Sequence, residues 1–142
     1  MPEQQLTIGE LAHRTGVATS ALRYWDQIGL LPAPARVSGH RRYPPSAIER
    51  VGEILLLREI GYTLRELKAL IAARTQSGDA WRALAQRKLT ELDRCIAHAN
   101  VARTAVAHAL ACPHENILEC PNFAGVVAAR LAGKSLAEAH PH

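Results

Sequence analysis

The most informative part of the chain is residues 7–29, which read TIGELAHRTGVATSALRYWDQIG. Thr7 and Glu10 have the spacing of a capping box, in which a hydroxyl and a carboxylate satisfy free backbone N–H groups of the first helical turn. Gly16 predicts the end of this first helix, and Gly29 predicts the end of a second one. Two helices joined by a turn of about four residues predict a helix-turn-helix.

The region after these helices, residues 31–44, reads LPAPARVSGHRRYP. Its prolines and its glycine exclude a helix, so we expect a short two-stranded ribbon that turns near Ser38. The spacings that begin at Ser46 and at Thr63 are again those of capping boxes. They predict two more helices, with Gly61 between them.

A long helix is predicted over residues 79–111, which contain neither glycine nor proline. At about 1.5 Å per residue it would be roughly 50 Å long. Its apolar residues recur every three or four positions, close to the heptad pattern of a coiled coil. They are Trp81, Ala85, Leu89, Leu92, Ile96, Ala99, Ala102, Val106 and Leu110. Such a rod is too long for the small preceding domain to cover, so we expect it to pair with a second copy of the chain. Packing against its own domain is the alternative.

Composition limits the class of protein. The chain has 142 residues, of which 48% are hydrophobic, enough for one ordinary domain or two small ones. Its net charge of +4 permits a polyanionic partner. There is no run of about 18 apolar residues that would predict a membrane span, and the N-terminus lacks the basic start of a signal peptide. We therefore expect a cytoplasmic protein without a membrane partner. No nucleophile–base set, phosphate loop or cofactor fingerprint is present, so we do not expect an enzyme.

Hydrogen-bond donors are concentrated on the second helix and on the ribbon. The first residues of the second helix of a helix-turn-helix reach base edges, whereas arginine and tyrosine hold phosphates. Cationic and phenolic donors on a protruding ribbon also suit phosphate oxygens. The DNA-binding candidates are Thr19, Ser20, Arg23, Tyr24, Arg36, Arg41, Arg42 and Tyr43. A solvated basic surface is the alternative, but the helix-turn-helix spacing favours DNA.

These elements resemble the MerR family of transcription regulators over nearly the whole chain. The segments that carry the resemblance are IGELA (8–12), TGV (15–17), ALRYWD (21–26), GLL (29–31), the wing-like SGHRRY (38–43) and IGYTL (60–64). Two positions depart from the family pattern, because Trp25 and His40 stand where the family usually has tyrosine.

The resemblance implies a mainly α-helical chain in three parts. These are a winged helix-turn-helix DNA-binding domain over 1–76, a dimerisation helix over 77–111, and an effector loop, short helix and tail over 112–142. It also implies a homodimer held by an antiparallel coiled coil and bound to double-stranded promoter DNA. When its effector binds, such a dimer kinks and untwists the duplex so that RNA polymerase can use the promoter.

The effector is expected to be small, because only 31 residues follow Ala111, too few for a drug-sized pocket. Cys112 and Cys120 bracket seven residues and are each followed by proline, which resembles the metal loop of the copper-efflux branch of the family. Two thiolates across a short loop suit a soft monovalent ion such as Cu(I), Ag(I) or Au(I). The resemblance also implies that Ser77 lies near Cys112 of the partner subunit, where the divalent-metal branches have cysteine. Zn(II) is therefore less favoured.

The sequence alone leaves further effectors open. A divalent site would draw on His108 or His114 together with Glu115 and Glu119. The [2Fe–2S] cluster of the oxidant-sensing SoxR branch needs four clustered cysteines, but this chain has three, and Cys95 is interpreted as a packing residue of the long helix. No iron–sulfur cluster is expected. A disulfide switch between the two loop cysteines, a small organic effector, and a scaffold without any ligand also stay open.

The end of the chain is predicted to hold one short helix over 123–131. The tail after Gly133 is expected to be frayed.

Overall fold

The structure, a computed structural model, describes residues 4–76 and 78–139. It divides into two compact units, one that ends at Ala85 and one that begins at Gln86. Both are built mainly from helices, which confirms the predicted fold class. The prediction for Ser77 lies outside the described residues.

The first unit contains a helix-turn-helix, a ribbon and a second pair of helices, as predicted. Its elements are α1 (Ile8–Thr15), α2 (Thr19–Gln27), β1 (Ala35–Val37), β2 (His40–Arg42), α3 (Ser46–Ile60) and α4 (Leu64–Ala73). The long helix α5 (Gly78–Ala111) begins in this unit and continues into the second. The second unit adds a 3-10 turn (Ile117–Glu119), α6 (Pro121–Leu131) and α7 (Leu136–Ala139).

Two of the predicted capping boxes are present. The Thr7 hydroxyl accepts from the Glu10 backbone N–H at 3.0 Å, and the Glu10 carboxylate accepts from the Thr7 N–H at 3.5 Å. At the start of α4, Thr63 and Glu66 exchange the same bonds at 3.1 and 3.0 Å. Because these caps satisfy donors that the helix itself cannot, the start of each helix follows directly from local sequence.

The capping box predicted at Ser46 is wrong. The residue before α3 is Pro45, which already has helical angles of φ −55° and ψ −29°, and no side chain caps this end. The first turn is closed instead by bonds from the Ala47 and Ile48 N–H groups to the carbonyls of Pro44 and Pro45, at 2.9 and 3.1 Å. Proline presets the helical φ angle, so the helix starts before Ser46 can act as its cap.

The core of the first unit is aliphatic, with one buried tryptophan and one buried tyrosine. The cluster consists of Leu6, Leu11, Leu22, Trp25, Leu30, Leu31, Tyr43, Ala47, Val51, Ile54 and Leu67. Members come from α1, α2, α3, α4 and the chain on either side of the ribbon. The shared core therefore holds α2 and the base of the ribbon in one body.

The ribbon, which we call the wing, is an antiparallel pair in the register Ala35–Arg42, Arg36–Arg41 and Val37–His40. Its turn residues Ser38 and Gly39 both have positive φ, at 52° and 79°. Positive φ at both central positions is typical of a type I′ hairpin turn, which suits the twist of the two strands. The wing therefore turns where the sequence predicts.

The helix α5 leaves many apolar side chains uncovered within this chain. Leu89, Ile96, Val106 and Leu110 are 53–85% exposed. Among the described residues, no helix combines the length and apolar character needed to cross a membrane.

The prediction of a frayed tail is wrong for residues 136–139, which form α7. Ser135 and Glu138 cap this short helix, because the Ser135 N–H donates to the Glu138 carboxylate at 2.8 Å and the Glu138 N–H donates back at 3.4 Å. Leu136 and Ala139 line a small apolar groove shared with Val126 of α6, and Ala139 is buried. The Ser-x-x-Glu spacing at 135–138 could have revealed this helix from sequence.

Candidate functional site

The first candidate site is a groove of about 490 Å³ between α2 and the wing. Its lining residues are Thr7, Ile8, Arg23, Asp26, Gln27, His40, Arg41, Arg42 and Tyr43. Three arginines and a histidine thus meet with a single acid, so basic side chains outnumber acidic ones in the groove. Such a surface matches an anionic chain laid between a helix and a hairpin.

The acid, Asp26, has a structural role that the sequence analysis missed. Its carboxylate is 8% exposed, forms an ion pair with Arg41, and accepts a 2.9 Å hydrogen bond from the Tyr43 hydroxyl. The carboxylate therefore joins α2 to the wing. Asp26 is the one acid in α2 and follows several hydrogen-bond donors, and this position could have indicated a pairing role.

The predicted DNA-binding residues fall into two groups. Arg23, Arg41 and Arg42 line the groove together. Thr19, Ser20, Tyr24 and Arg36 do not line it, but each is at least partly exposed at the surface of the same unit.

Tyr43 also lines the groove, but its burial argues against the predicted direct contact with DNA. The residue is 1% exposed and belongs to the core cluster. Its backbone pairs with Leu6 through two 2.7 Å hydrogen bonds. This pairing directs the Tyr43 side chain toward the core of the first unit. The buried phenol donates its hydrogen bond to Asp26 and so acts as a structural link between the wing and α2.

The register of the wing places Arg36 directly opposite Arg41. Side chains that are directly paired across an antiparallel ladder share a face, and like charges in that position are destabilising. Asp26 balances only one of the two charges. Among residues 4–76 and 78–139, no acid pairs with Arg36, so its positive charge stays uncompensated there.

The second candidate site lies in the loop after α5. The Sγ atoms of Cys112 and Cys120 and a ring nitrogen of His114 all lie within 4.8 Å of one another. Within this group, Cys112 Sγ and His114 Nδ1 are 3.3 Å apart. Two sulfurs and one imidazole nitrogen at this separation form a set that can close around a single soft metal ion.

Cys120 occupies the position just before α6, whose first residue is Pro121. The pKa of its thiol is held below the ordinary value of 9.0, first because the Phe123 backbone N–H donates to the sulfur. Burial opposes this effect, and further hydrogen bonds from Cys112 and from the Asn122 backbone support it. The start of a helix therefore favours the thiolate, which is the form that binds metals.

The other candidates near the loop are not part of this group. Among the described residues, the cluster of candidate ligands contains His114 but not His108, Glu115 or Glu119. Cys95 is exposed on α5, so this chain by itself does not bury it as the packing interpretation expects.

Two family models match overlapping parts of the chain that together span residues 6–109. The model of the MerR helix-turn-helix family of regulatory proteins matches residues 6–74, and the MerR DNA-binding model matches residues 48–109. The chain belongs to the MerR family. The resemblance read from the sequence is thereby confirmed, while the branch of the family is not resolved.

Several regulators are similar to this MerR-family chain. The transcriptional activator SoxR homolog of Chromobacterium violaceum is 39% identical over 90 residues, which cover 61% of each protein. The transcriptional regulator HmrR of Rhizobium leguminosarum is 28% identical over 120 residues, which cover 82% of this chain and 93% of HmrR. The nodulation protein NolA of Bradyrhizobium sp. is 42% identical, but only 34% of its length is matched. The chain thus spans less than two thirds of the SoxR homolog and of NolA.

Solved structures share the fold. The regulator PbrR691 of Ralstonia metallidurans, in complex with lead(II), superposes with a TM-score of 0.69 over 81% of this chain and 94% of its own, at 22% identity. HiNmlR, a MerR family regulator lacking the sensor domain and bound to promoter DNA, superposes with a TM-score of 0.55 at 21% identity. The match covers 76% of this chain and 89% of the HiNmlR chain. At these identities the likeness concerns the fold.

Proposed function

We propose that this chain is a homodimeric transcription regulator that binds promoter DNA and responds to a soft metal ion held by Cys112 and Cys120. The observation that carries the metal response is the convergence of the two sulfurs, from residues eight positions apart, to within 4.8 Å. As a promoter-binding protein it would act in the cytoplasm and affect RNA polymerase through the shared promoter.

The DNA-binding part of the proposal rests on the groove between α2 and the wing. Arg23, Arg41 and Arg42 line it, and the wing keeps Arg36 opposite Arg41 despite their mutual repulsion. Phosphate oxygens would relieve that repulsion, because their negative charge attracts both guanidinium groups. Each neutralised phosphate would also release counterions from the duplex, which favours binding. A shared fold with a promoter-bound MerR regulator supports the same use of this surface.

The dimer is proposed from the surface of α5. Leu89, Ile96, Val106 and Leu110 recur at coiled-coil spacing and are more than half exposed in one chain. A 34-residue helix with such a face would bury it best against an identical helix, and the antiparallel arrangement follows from the family resemblance. The second copy is therefore the partner to which we assign this face.

The metal response is proposed for monovalent ions, Cu(I), Ag(I) or Au(I), with Zn(II) less favoured. Thiolates select soft ions, and the two cysteine thiolates are the softest donors in the cluster. With a monovalent ion, two thiolates leave a net charge of −1 on the site. The N-terminus of α6, which begins beside Cys120, compensates such a charge.

The test is a titration of the reduced, full-length protein under anaerobic conditions with Cu(I) in the presence of a competing chelator, and with Zn(II) in parallel. We expect tight Cu(I) binding that is lost when Cys112 and Cys120 are both changed to Ser, while the Cys95→Ser variant binds as the original does. Promoter output in vitro should rise with Cu(I) only in proteins that bind it. If the double variant bound Cu(I) equally well, the ion would be held elsewhere and the proposal would be overturned.

A thiol redox switch is the second candidate, and one observation favours it. Cys120 has a lowered pKa and receives a hydrogen bond from Cys112, so its thiolate lies next to a second sulfur. Such a pair can form a disulfide when an oxidant accepts two electrons and two protons leave the thiols. Exposure of metal-free protein to a peroxide distinguishes the two candidates: a change in promoter output that a dithiol reductant reverses would favour the redox switch over the metal.

A further inference from the structure

We propose that His114 is a third metal ligand, so that the loop holds its ion between two sulfurs and one nitrogen. This inference rests on the metal response proposed above and specifies its ligand set. The Cys-Pro repeat of the loop points only to the two cysteines, whereas the structure brings an imidazole nitrogen to the same point.

The distances among the three side-chain atoms are compatible with a single shared ion. Metal–sulfur and metal–nitrogen bonds are about 2.0–2.3 Å long, so ligands on opposite sides of an ion lie about 4–4.6 Å apart and neighbouring ligands lie closer. His114 Nδ1 is 3.3 Å from Cys112 Sγ, a separation of neighbouring ligands, and all three atoms fall within 4.8 Å. The imidazole nitrogen also lies within 4.8 Å of the Cys120 sulfur, so all three atoms can reach one ion.

The chain positions these three ligands by different means. Cys112 follows the last residue of α5, and Cys120 precedes the first residue of α6. Between them, the Asn116 side chain accepts from the Leu118 N–H at 3.0 Å and caps the short 3-10 turn. The loop is therefore ordered by its own hydrogen bonds, and His114, two residues after Cys112, is held where its Nδ1 meets the sulfurs.

The added nitrogen changes which ions the loop should favour. On binding, the two thiols release their protons to solvent, whereas the imidazole binds in its neutral form through Nδ1 and keeps its proton on Nε2. Cu(I) accepts three ligands of this kind, whereas Au(I) strongly prefers two in a line. Imidazole also suits Zn(II), so the site should discriminate less sharply against divalent ions than a pair of thiolates does.

The experiment compares the full-length protein with His114→Ala, using His108→Ala as the matched control because it removes a nearby histidine outside the cluster. Each protein is loaded anaerobically with one equivalent of Cu(I). X-ray absorption at the copper edge then gives the atoms bound to copper, and competition with a chelator gives the affinity. We expect two sulfurs and one nitrogen in the original protein and in His108→Ala. We expect two sulfurs alone in His114→Ala, with an affinity at least about tenfold lower.

The outcomes separate this inference from the function on which it rests. Copper bound by two sulfurs and no nitrogen in the original protein would overturn the role of His114 and leave the two-cysteine sensor standing. A nitrogen that persists in His114→Ala but disappears in His108→Ala would also overturn it. Failure of the original protein to bind Cu(I) would overturn both. Even if a variant does not fold, the spectrum of the original protein shows whether copper binds a nitrogen, and its absence would overturn the role of His114.

Discussion

The hydroxyl of Tyr43 donates a 2.9 Å hydrogen bond to the carboxylate of Asp26, and this bond ties the end of the wing to α2. The same carboxylate pairs with Arg41 on the second strand of the wing. A contact between residues 17 positions apart thus sets the spacing of the two elements that line the basic groove. Any partner held in the groove meets a helix and a hairpin whose relative position is already defined.

Tyr43→Phe should weaken folding without changing the number of phosphate contacts. The variant keeps the ring in the core and loses one hydrogen bond, which costs about 0.5–1.5 kcal/mol in the free energy of unfolding. Urea denaturation measures this loss. The slope of log affinity for DNA against log salt should stay as it is, because the phenol is buried. A slope that fell by about one would show that Tyr43 reaches a phosphate after all.

Arg23→Ala should reduce the salt dependence of DNA binding by about one unit, because Arg23 lines the groove and would neutralise about one phosphate. The measurement is the affinity for a promoter fragment at several salt concentrations. Arg103→Ala is the matched control, since it removes the same charge from an exposed position of α5. An equal loss of slope in both variants would mean that general charge, and not this position, governs binding.

Ile96→Glu should prevent dimerisation. Ile96 is 59% exposed in the single chain and lies within the apolar pattern of α5, so a charge there would be buried in the proposed interface. We expect the dissociation constant of the dimer, measured by analytical ultracentrifugation, to rise at least about tenfold, which corresponds to about 1.4 kcal/mol. His98→Glu adds the same charge at an exposed position outside the pattern and should leave the dimer intact. An unchanged dissociation constant in Ile96→Glu would mean that the dimer interface lies elsewhere.

The stability of α7 should depend on acid pH through Glu138. The pKa of Glu138 lies below its ordinary value of 4.5, first because the Ser135 backbone N–H donates to the carboxylate. A lowered folded-state pKa means that the stabilisation is complete above the unfolded pKa and is lost as the pH falls through the folded one. The protection of the Ala139 amide, which donates to the Ser135 carbonyl, should therefore decrease in this range once the exchange rates are corrected for the pH dependence of an unprotected amide.

Glu138→Gln provides the comparison for this effect. At neutral pH, the Ala139 amide should exchange faster in Glu138→Gln than in the original protein. This difference should vanish in acid, where Glu138 of the original protein is protonated. Glu115→Gln changes an exposed glutamate outside α7 and should show no such difference. A difference between the original protein and Glu138→Gln that stayed constant with pH would rule out the ionised carboxylate as the cause.

Local sequence was sufficient for the helix ends and the wing. Thr7 and Thr63 each carry a partner glutamate three residues later, and Gly61 ends α3 in the left-handed region at φ 117°. These interactions join residues within one or two turns, so they form without help from distant parts of the chain. The failure at Ser46 has the same local origin, because two prolines supply a start that competes with the hydroxyl cap.

The candidate sites were predicted less completely than the helix ends, because the features that sequence missed depend on contacts between residues far apart in the chain. Tyr43 follows directly after the exposed strand of the wing, and only its pairing with Leu6, 37 positions earlier, turns it inward. Asp26 was missed because its role exists only when the wing returns to α2. In the loop, the sequence spacing identified Cys112 and Cys120 as candidate ligands. Spacing cannot show, however, whether the His114 side chain between them points toward the two sulfurs.

The sequence by itself therefore establishes the MerR-type order of elements, the long helix, the basic character of α2 and the wing, and the pair of loop cysteines. Each of these depends on residue type and on separations of a few positions, where chain geometry leaves few choices. Tertiary structure was needed to separate surface from core at Tyr43 and to bring His114 to both sulfurs. Burial and the convergence of side chains are properties of packing between elements, and packing depends on contacts that no local pattern contains.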